Sequence, residues 1–357
     1  MTNGPLRVLV VGLGHMGLSH ARAYAHIPGF ELAGVCSRGV ARVALPPRLA
    51  GALRFTSFDE ALAAVNPDVV SINTFPDTHA AFAIRAMDAG AHVFLEKPIA
   101  ETVEDGERVI ETAARTRRKL VVGYILRHHP SWVRFIEIAR TLGSPLVFRM
   151  NLNQQSSGPQ WTTHQRLMDS LSPIVDCGVH YVDVWCQITS ARPRRVHAIG
   201  TRLTGDLRPG MYNYGQLQVV FDDGSVGWYE AGWGPMMSET AYFVKDVIGP
   251  KGSVSIVLAA AAEPVRSDDV NAHTQTSQLL VHHAELAADG TFARGDERLS
   301  TADEPSHDEL CEREQRFLLR AIHDDLDLAA HQRDAVTTLR IVLAADRSVR
   351  TGEVVQL

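Results

Sequence analysis

One stretch near the start of the chain restricts the fold more than any other: Leu6-Arg7-Val8-Leu9-Val10-Val11, then Gly12-Leu13-Gly14-His15-Met16-Gly17, then Leu18-Ser19-His20-Ala21-Arg22-Ala23-Tyr24-Ala25. The apolar run has no polar alternation and predicts a strand buried on both faces, as in a parallel sheet between helical layers. The residues after Gly17 suit a helix that stops at Pro28-Gly29. Between strand and helix the glycines stand at G-x-G-x-x-G spacing, and each has its own task. Gly12 permits the tight turn, and Gly14 lets a pyrophosphate meet bare backbone. Gly17 lets the helix pack closely on the strand while its first amides, at His15 and Met16, face the anion. The string is weak by itself; the strand before it and the helix after it make it a dinucleotide-binding candidate.

The length, 357 residues, predicts two domains, and 45% hydrophobic with 21% charged residues predicts a globular protein. A formal net charge of -6 with no Lys/Arg block argues against nucleic acid as a partner. No apolar run reaches membrane-spanning length, and Met1-Thr2-Asn3-Gly4-Pro5 lacks the features of a signal peptide, so a cytoplasmic location away from membranes is expected. Cys36, Cys177, Cys186 and Cys311 are scattered without zinc-site spacing and suit thiols in a reducing compartment.

Phe30 to Cys36 predicts a second strand, ending in Ser37-Arg38. An acid at this tip would accept hydrogen bonds from the adenosine ribose. None is present, and a hydroxyl followed by a guanidinium suits a 2′-phosphate, which favours NADP(H) over NAD(H). The alternative leaves Arg38 solvated and stacked on adenine, with NAD(H) equally acceptable. Ser57-Phe58-Asp59-Glu60 resembles a capping box for a helix toward Val65. Asp68 to Thr74 and His92 to Leu95 predict buried strands, separated by a helix from His79 to Ala89. This alternation implies a doubly wound sheet, with ligands collected at the carboxyl ends of its strands. Asn73, Thr74, Pro76, Glu96 and Lys97 follow such ends. Lys119 to Tyr124 predicts the last parallel strand and a domain boundary, giving a dinucleotide-binding Rossmann segment, 1–124, and a substrate-binding and oligomerisation segment, 125–357.

The glycine loop with His20, Asn73-Thr74 with His79 beyond it, and Ala89-Gly90-Ala91-His92-Val93-Phe94-Leu95-Glu96-Lys97-Pro98 together resemble the glucose-fructose oxidoreductase, inositol dehydrogenase and MocA family. The family's usual Thr-Pro-Asn is Thr74-Phe75-Pro76 here, a departure at the nicotinamide contact. The resemblance implies cofactor contacts from His79, Glu96 and Lys97, and a cis Lys97-Pro98 bond. It also implies an Arg at the position of Arg127, a candidate substrate contact.

From Pro145 onward, short mixed runs recur at Leu146 to Asn153, Arg195 to Arg202, Gln216 to Phe221, Val226 to Trp233, Ala241 to Ile248 and Ser253 to Val257. They predict an α+β domain with a mostly antiparallel sheet, and the resemblance extends this to an open sheet with one helical face. Val219, Phe221, Trp228 and Tyr229 are assigned either to a subunit contact, as in a homodimer or homotetramer, or to the core. Gln154 to Ser172 reads as an irregular polar loop that tunes substrate selectivity, with Trp161 as a candidate for stacking on a sugar ring. Asp268 to Glu297 reads as long polar loops around a strand at Gln278 to Val281.

In Ser172 to Trp185, read as a helix, Asp176, His180 and Asp183 share one face. The Asp-x-x-x-His spacing matches the family's second-domain motif, although Ser172-Pro173 replaces its usual Gly-Gly. With Lys97, these residues predict hydride exchange at nicotinamide and oxidation of a secondary alcohol on a sugar or cyclitol. His180 is the candidate base, Lys97 the partner of the reacting oxygen and Asp176 the holder of a neighbouring hydroxyl; Asp183 is assigned a structural role. No metal is required. Two alternatives remain: glycosidic cleavage through transient oxidation by a bound cofactor, and a dinucleotide-sensing regulator without catalysis.

Overall fold

The computed structural model describes residues 4–238, 244–257, 267, 274, 276–301 and 304–357. It divides into two compact units, Met1–Ile125 with Pro305–Leu339, and Leu126–Glu304 with Arg340–Leu357.

The first unit contains β1 (Leu6–Val11), α1 (His15–His26), β2 (Phe30–Cys36), β3 (Leu53–Phe55), α2 (Phe58–Val65), β4 (Val69–Ile72), α3 (His79–Asp88), β5 (His92–Leu95), α4 (Val103–Thr116) and β6 (Leu120–Val122). The strands form one parallel sheet in the order β3-β2-β1-β4-β5-β6, the doubly wound arrangement. Val8, Val10, Val69, Phe94 and Val121 are buried, as unbroken apolar strands between helices must be. Ser57 caps α2 by accepting the Glu60 amide.

The second unit begins with α5 (Pro130–Ala139), β7 (Val147–Gln155), α6 (Gly158–Leu167) and α7 (Pro173–Ile188). It continues through β8 (Pro193–Thr201), β9 (Tyr214–Phe221), β10 (Val226–Gly234), β11 (Lys245–Gly249), β12 (Gly252–Val257), β13 (Gln278–His283) and β14 (Glu297–Ser300). The chain then passes through α8 (His307–His323), which belongs to the first unit, and α9 (Ala329–Thr351), which leaves that unit after Leu339, to β15 (Val355–Gln356) in the second. The nine-stranded second sheet runs β14-β13-β12-β11-β7-β10-β9-β8-β15. Its pairs are antiparallel except β7 with β10. Residues 241–243 of the strand expected from Ala241, and 268–273 of the polar stretch, lie outside the described residues.

Three expectations are corrected. The first unit is not one continuous segment: the chain returns to it at Pro305, because Leu318, Ala321 and Leu328 bury in its core. Gln154 to Ser172 is not an irregular loop. β7 runs through Gln155, and α6 then starts at Ser157-Gly158-Pro159, with proline in its first turn where no amide is needed. Finally, Val219, Phe221 and Tyr229 are buried while Trp228 is only partly so, because adjacent strand residues point to opposite faces and cannot share one surface. No helix of the described residues is long and apolar enough to cross a membrane.

Candidate active site

Strand register assembles the first half of the site. Val11 aligns with Cys36 and Ile72, Ile72 with Leu95, and Leu95 with Val122. The residues that follow, Gly12, Ser37, Asn73 and Glu96, therefore stand in one row at the carboxyl edge of the sheet. Gly12 has φ +85°, and a Cβ there would strike the Asn73 backbone. A Cβ on Gly17 would strike the Gly12 carbonyl, whereas one on Gly14 would meet no atom within 4 Å. Packing thus demands the first and third glycines, and the middle one leaves room for a ligand. Gly14 opens α1 with no side-chain cap, while Thr102 caps α4 by accepting the Asp105 amide. Bare backbone, open space and uncapped amides at His15, Met16 and Gly17 fit a pyrophosphate.

At the tip of β2, the Ser37 amide donates to Phe55 O at 3.0 Å, and Arg38 is exposed. The sequence reading missed Arg42, whose Nη2 lies 3.6 Å from where a Cβ of Gly39 would be. A second guanidinium therefore stands at this tip. Its only sequence signal was its nearness to Arg38.

Beyond β4, Asn73 Nδ2 donates to Ser71 O at 3.0 Å and Ser71 Oγ at 3.1 Å, and Thr78 Oγ1 donates to Thr74 Oγ1 at 2.7 Å. Pro76 is buried, while Phe75 is half exposed. His79 is fully buried, with Nδ1 2.7 Å from Pro98 O and Nε2 3.0 Å from Thr74 O. Burial lowers its pKa, against the pull of both carbonyls, and favours a neutral ring that donates to one of them at a time. His79 therefore ties the Thr74 loop to the Lys97 loop.

Glu96 is likewise buried. Its Oε1 lies 2.9 Å from His20 Nε2, and its Oε2 accepts the Lys97 amide at 3.1 Å. Lys97 is partly exposed, and its bond to Pro98 is cis.

The second unit holds the other candidates. Ser172 caps α7 by accepting the Val175 amide, and Pro173 occupies the first turn, which explains why a helix starts where the family pattern has two glycines. Tyr212 OH, 2.9 Å from Ser172 Oγ and 2.6 Å from Asp346 Oδ1, fixes this end. From Pro173 to Trp185, every residue of α7 is buried except Asp176 and His180. One turn apart, they form the only polar stripe that this segment exposes.

Arg127, expected at the substrate, instead forks onto Asp183: Nε reaches Oδ2 at 2.9 Å and Nη2 reaches Oδ1 at 2.6 Å. Gln187 Nε2 adds a bond of 3.0 Å to the same fully buried carboxylate. Arg127 and Asp183 thus pair within the unit. Trp161 is partly exposed on α6, and His164 of that helix stacks on Trp233 with ring centroids 4.5 Å apart. Lys245, buried over the Tyr181 ring and donating to Asn151 O, also escaped the sequence reading. Burial holds its pKa well below the ordinary lysine value.

Among the described residues, His20, Cys311 and Glu314 come close enough together to suggest a metal site. Both His20 nitrogens are already engaged, by Glu96 and by Gln315, and burial pushes the Cys311 thiol pKa up, away from the thiolate a metal needs.

Residues 6–124 match the model of the oxidoreductase family with an NAD-binding Rossmann fold, and residues 138–255 match the GFO/IDH/MocA C-terminal domain. UDP-N-acetylglucosamine 3-dehydrogenase of Acidithiobacillus ferrooxidans is 34% identical over 204 residues, 56% of this chain and 60% of that relative. Inositol 2-dehydrogenase of Salmonella typhimurium is 29% identical over 185 residues, 50% of this chain and 53% of the relative. The alignments thus span little more than half the length of these relatives. A structure of scyllo-inositol dehydrogenase from Lactobacillus casei, with bound NAD(H) and scyllo-inositol, has the same fold: its TM-score is 0.74 at 19% identity, with 99% of each chain covered. Two family models end to end, on a glycine cradle and an Asp-x-x-x-His helix, assign this chain to the Gfo/Idh/MocA oxidoreductase family.

Proposed function

We propose that this protein is an NAD(P)-dependent dehydrogenase that interconverts a secondary alcohol and a ketone on a cyclic polyol or sugar. The observation that carries the reading is the Asp176/His180 stripe on a helix otherwise buried from Pro173 to Trp185. Burial needs neither residue there, and a neighbouring carboxylate suits an imidazole that must take up a proton. The dinucleotide supplies the hydride acceptor. His180 takes the hydroxyl proton, Lys97 hydrogen-bonds the reacting oxygen as charge develops on it, and Asp176 holds an adjacent hydroxyl. The names of the two sequence relatives reported above, dehydrogenases of an amino-sugar nucleotide and of inositol, support the substrate class. The test is a screen of inositols, aldoses, methyl glycosides and nucleotide-linked amino sugars with both cofactors. Reduction of nicotinamide with at least one ring polyol is expected; none across the panel overturns the proposal.

NADP(H) is the favoured cofactor, because Arg38 and Arg42 supply forked cations at the tip of β2. Arg38→Ser is expected to raise the KM for NADP+ by roughly tenfold or more while that for NAD+ changes little. A wild-type preference for NAD+ defeats the assignment.

The protein assembles as a homodimer or homotetramer through the open face of its second sheet. Ile248, Val147, Val226 and Val220 are direct cross-strand neighbours over β11, β7, β10 and β9, and the first three are exposed. Such a row, flanked by Trp228, suits burial against a copy of itself. Trp228→Arg is expected to yield a smaller species in sedimentation equilibrium, and a monomeric wild type refutes the assembly. The thiols of Cys36, Cys177, Cys186 and Cys311 fit a cytoplasmic setting.

A further inference from the structure

Behind the Lys97 loop lies a buried polar chain whose members come from distant parts of the sequence but belong to one compact unit. Tyr24 OH donates to Gln315 Oε1 at 2.5 Å, Gln315 Nε2 lies 3.0 Å from His20 Nδ1, and His20 Nε2 lies 2.9 Å from Glu96 Oε1. The other oxygen of Glu96 accepts the Lys97 amide. Tyr24, His20 and Gln315 are completely buried, and Glu96 nearly so.

The donors and acceptors allow one consistent direction for a neutral ring. Tyr24 gives its proton to the Gln315 carbonyl oxygen, which turns the Gln315 NH2 toward His20. His20 Nδ1 must then accept, so the ring proton sits on Nε2 and points at the Glu96 carboxylate. The reverse orientation of Gln315 requires a proton on His20 Nδ1. It then sets an unprotonated Nε2 against a carboxylate, unless His20 is an imidazolium. Beside this chain is Glu314, also buried, with Oε1 making no hydrogen bond among the described residues. Burial, and then the charge of Glu96, push the Glu314 pKa up.

We propose that Gln315, on the helix that returns to the dinucleotide-binding unit, is a positioning residue for Lys97: it locks His20 in the Nε2-protonated form, and His20 in turn holds Glu96 against the Lys97 backbone. The role of Lys97 in the reaction rests on the function proposed above, but the lock itself does not. The sequence separation explains why it was invisible beforehand, since Gln315 carries no motif and meets His20 only through the packing of α8 on α1.

Two measurements test the lock without using turnover. Long-range proton–nitrogen correlation spectra of the uniformly labelled protein, with His20 assigned by its loss in His20→Gln, are expected to show one protonated nitrogen, Nε2, and one unprotonated nitrogen, Nδ1. Two protonated nitrogens, an Nδ1-protonated ring, or averaging between tautomers overturns the proposal. In Gln315→Leu the donor to Nδ1 is gone, and amide exchange at Lys97 is expected to quicken about tenfold, with little change in the strands of the same sheet. Unchanged exchange at Lys97 overturns the proposal, as does acceleration spread evenly over the unit, which would mark Gln315 as a general packing residue. Where Gln315→Leu does not fold, the spectra of the wild-type protein decide. A Lys97→Met variant that retains turnover would remove Lys97 from the reaction and leave the tautomer result standing.

Discussion

Lys97→Met is expected to lower turnover by on the order of a hundredfold to a thousandfold while cofactor affinity stays within about twofold. Methionine keeps much of the length and apolar stem of lysine but brings no donor to the reacting oxygen, so the loss falls on the transition state and not on the ground state. The dinucleotide cradle is built from Gly12, Gly14, Gly17 and the first turn of α1, none of which depends on the lysine side chain. Binding is read by titrating the reduced cofactor's fluorescence, and turnover by its absorbance with the best ring substrate of the panel. Undiminished turnover removes Lys97 from the mechanism. Loss of cofactor binding together with turnover would assign it to the cradle instead.

The second large effect is on stability. Asp183→Ala is expected to destabilise the second unit by about 3 kcal/mol, seen as a lower urea midpoint, because it leaves the forked guanidinium of Arg127 poorly solvated and without its carboxylate. Replacing both partners with apolar residues, Arg127→Met with Asp183→Leu, is expected to recover most of that loss, since the penalty comes from an unpaired charge and not from the missing pair. A single-variant loss below about 1 kcal/mol would show that solvent reaches Arg127 well enough to make the pair expendable.

What could be read in the residues was local. β1, the glycine loop and α1 are contiguous, so the strand pattern, the glycine spacing and the helix start all lie within one short window. The same holds for α7, where Ser172-Pro173 marks the start and the spacing of Asp176 and His180 sets their common face. The misreadings share a cause. Glu96 and His79 look like ligand contacts because they follow a strand end, yet each is turned inward by a partner that only the fold supplies: His20 for one, the Pro98 carbonyl for the other. Arg127 looks free in sequence and is claimed by Asp183, which lies 56 positions away. Gln154 to Ser172 looks irregular because its polar residues show no clear helical stripe. Its helix is held from outside, by His164 stacking on Trp233.

The amino-acid order determined the strands of the first sheet, the glycine loop between strand and helix and the common helix face of a carboxylate and an imidazole, because each depends on neighbours within a few residues. Only the tertiary structure decided that the chain comes back after the second sheet to complete the first unit, and that Glu96 faces His20. The first outcome depends on apolar residues beyond Pro305 that bury in the first core, and the second on polar partners 76 positions apart. Hydrophobic patterning sets where a side chain is buried, but the donors and acceptors left inside must be satisfied by whatever the fold brings there.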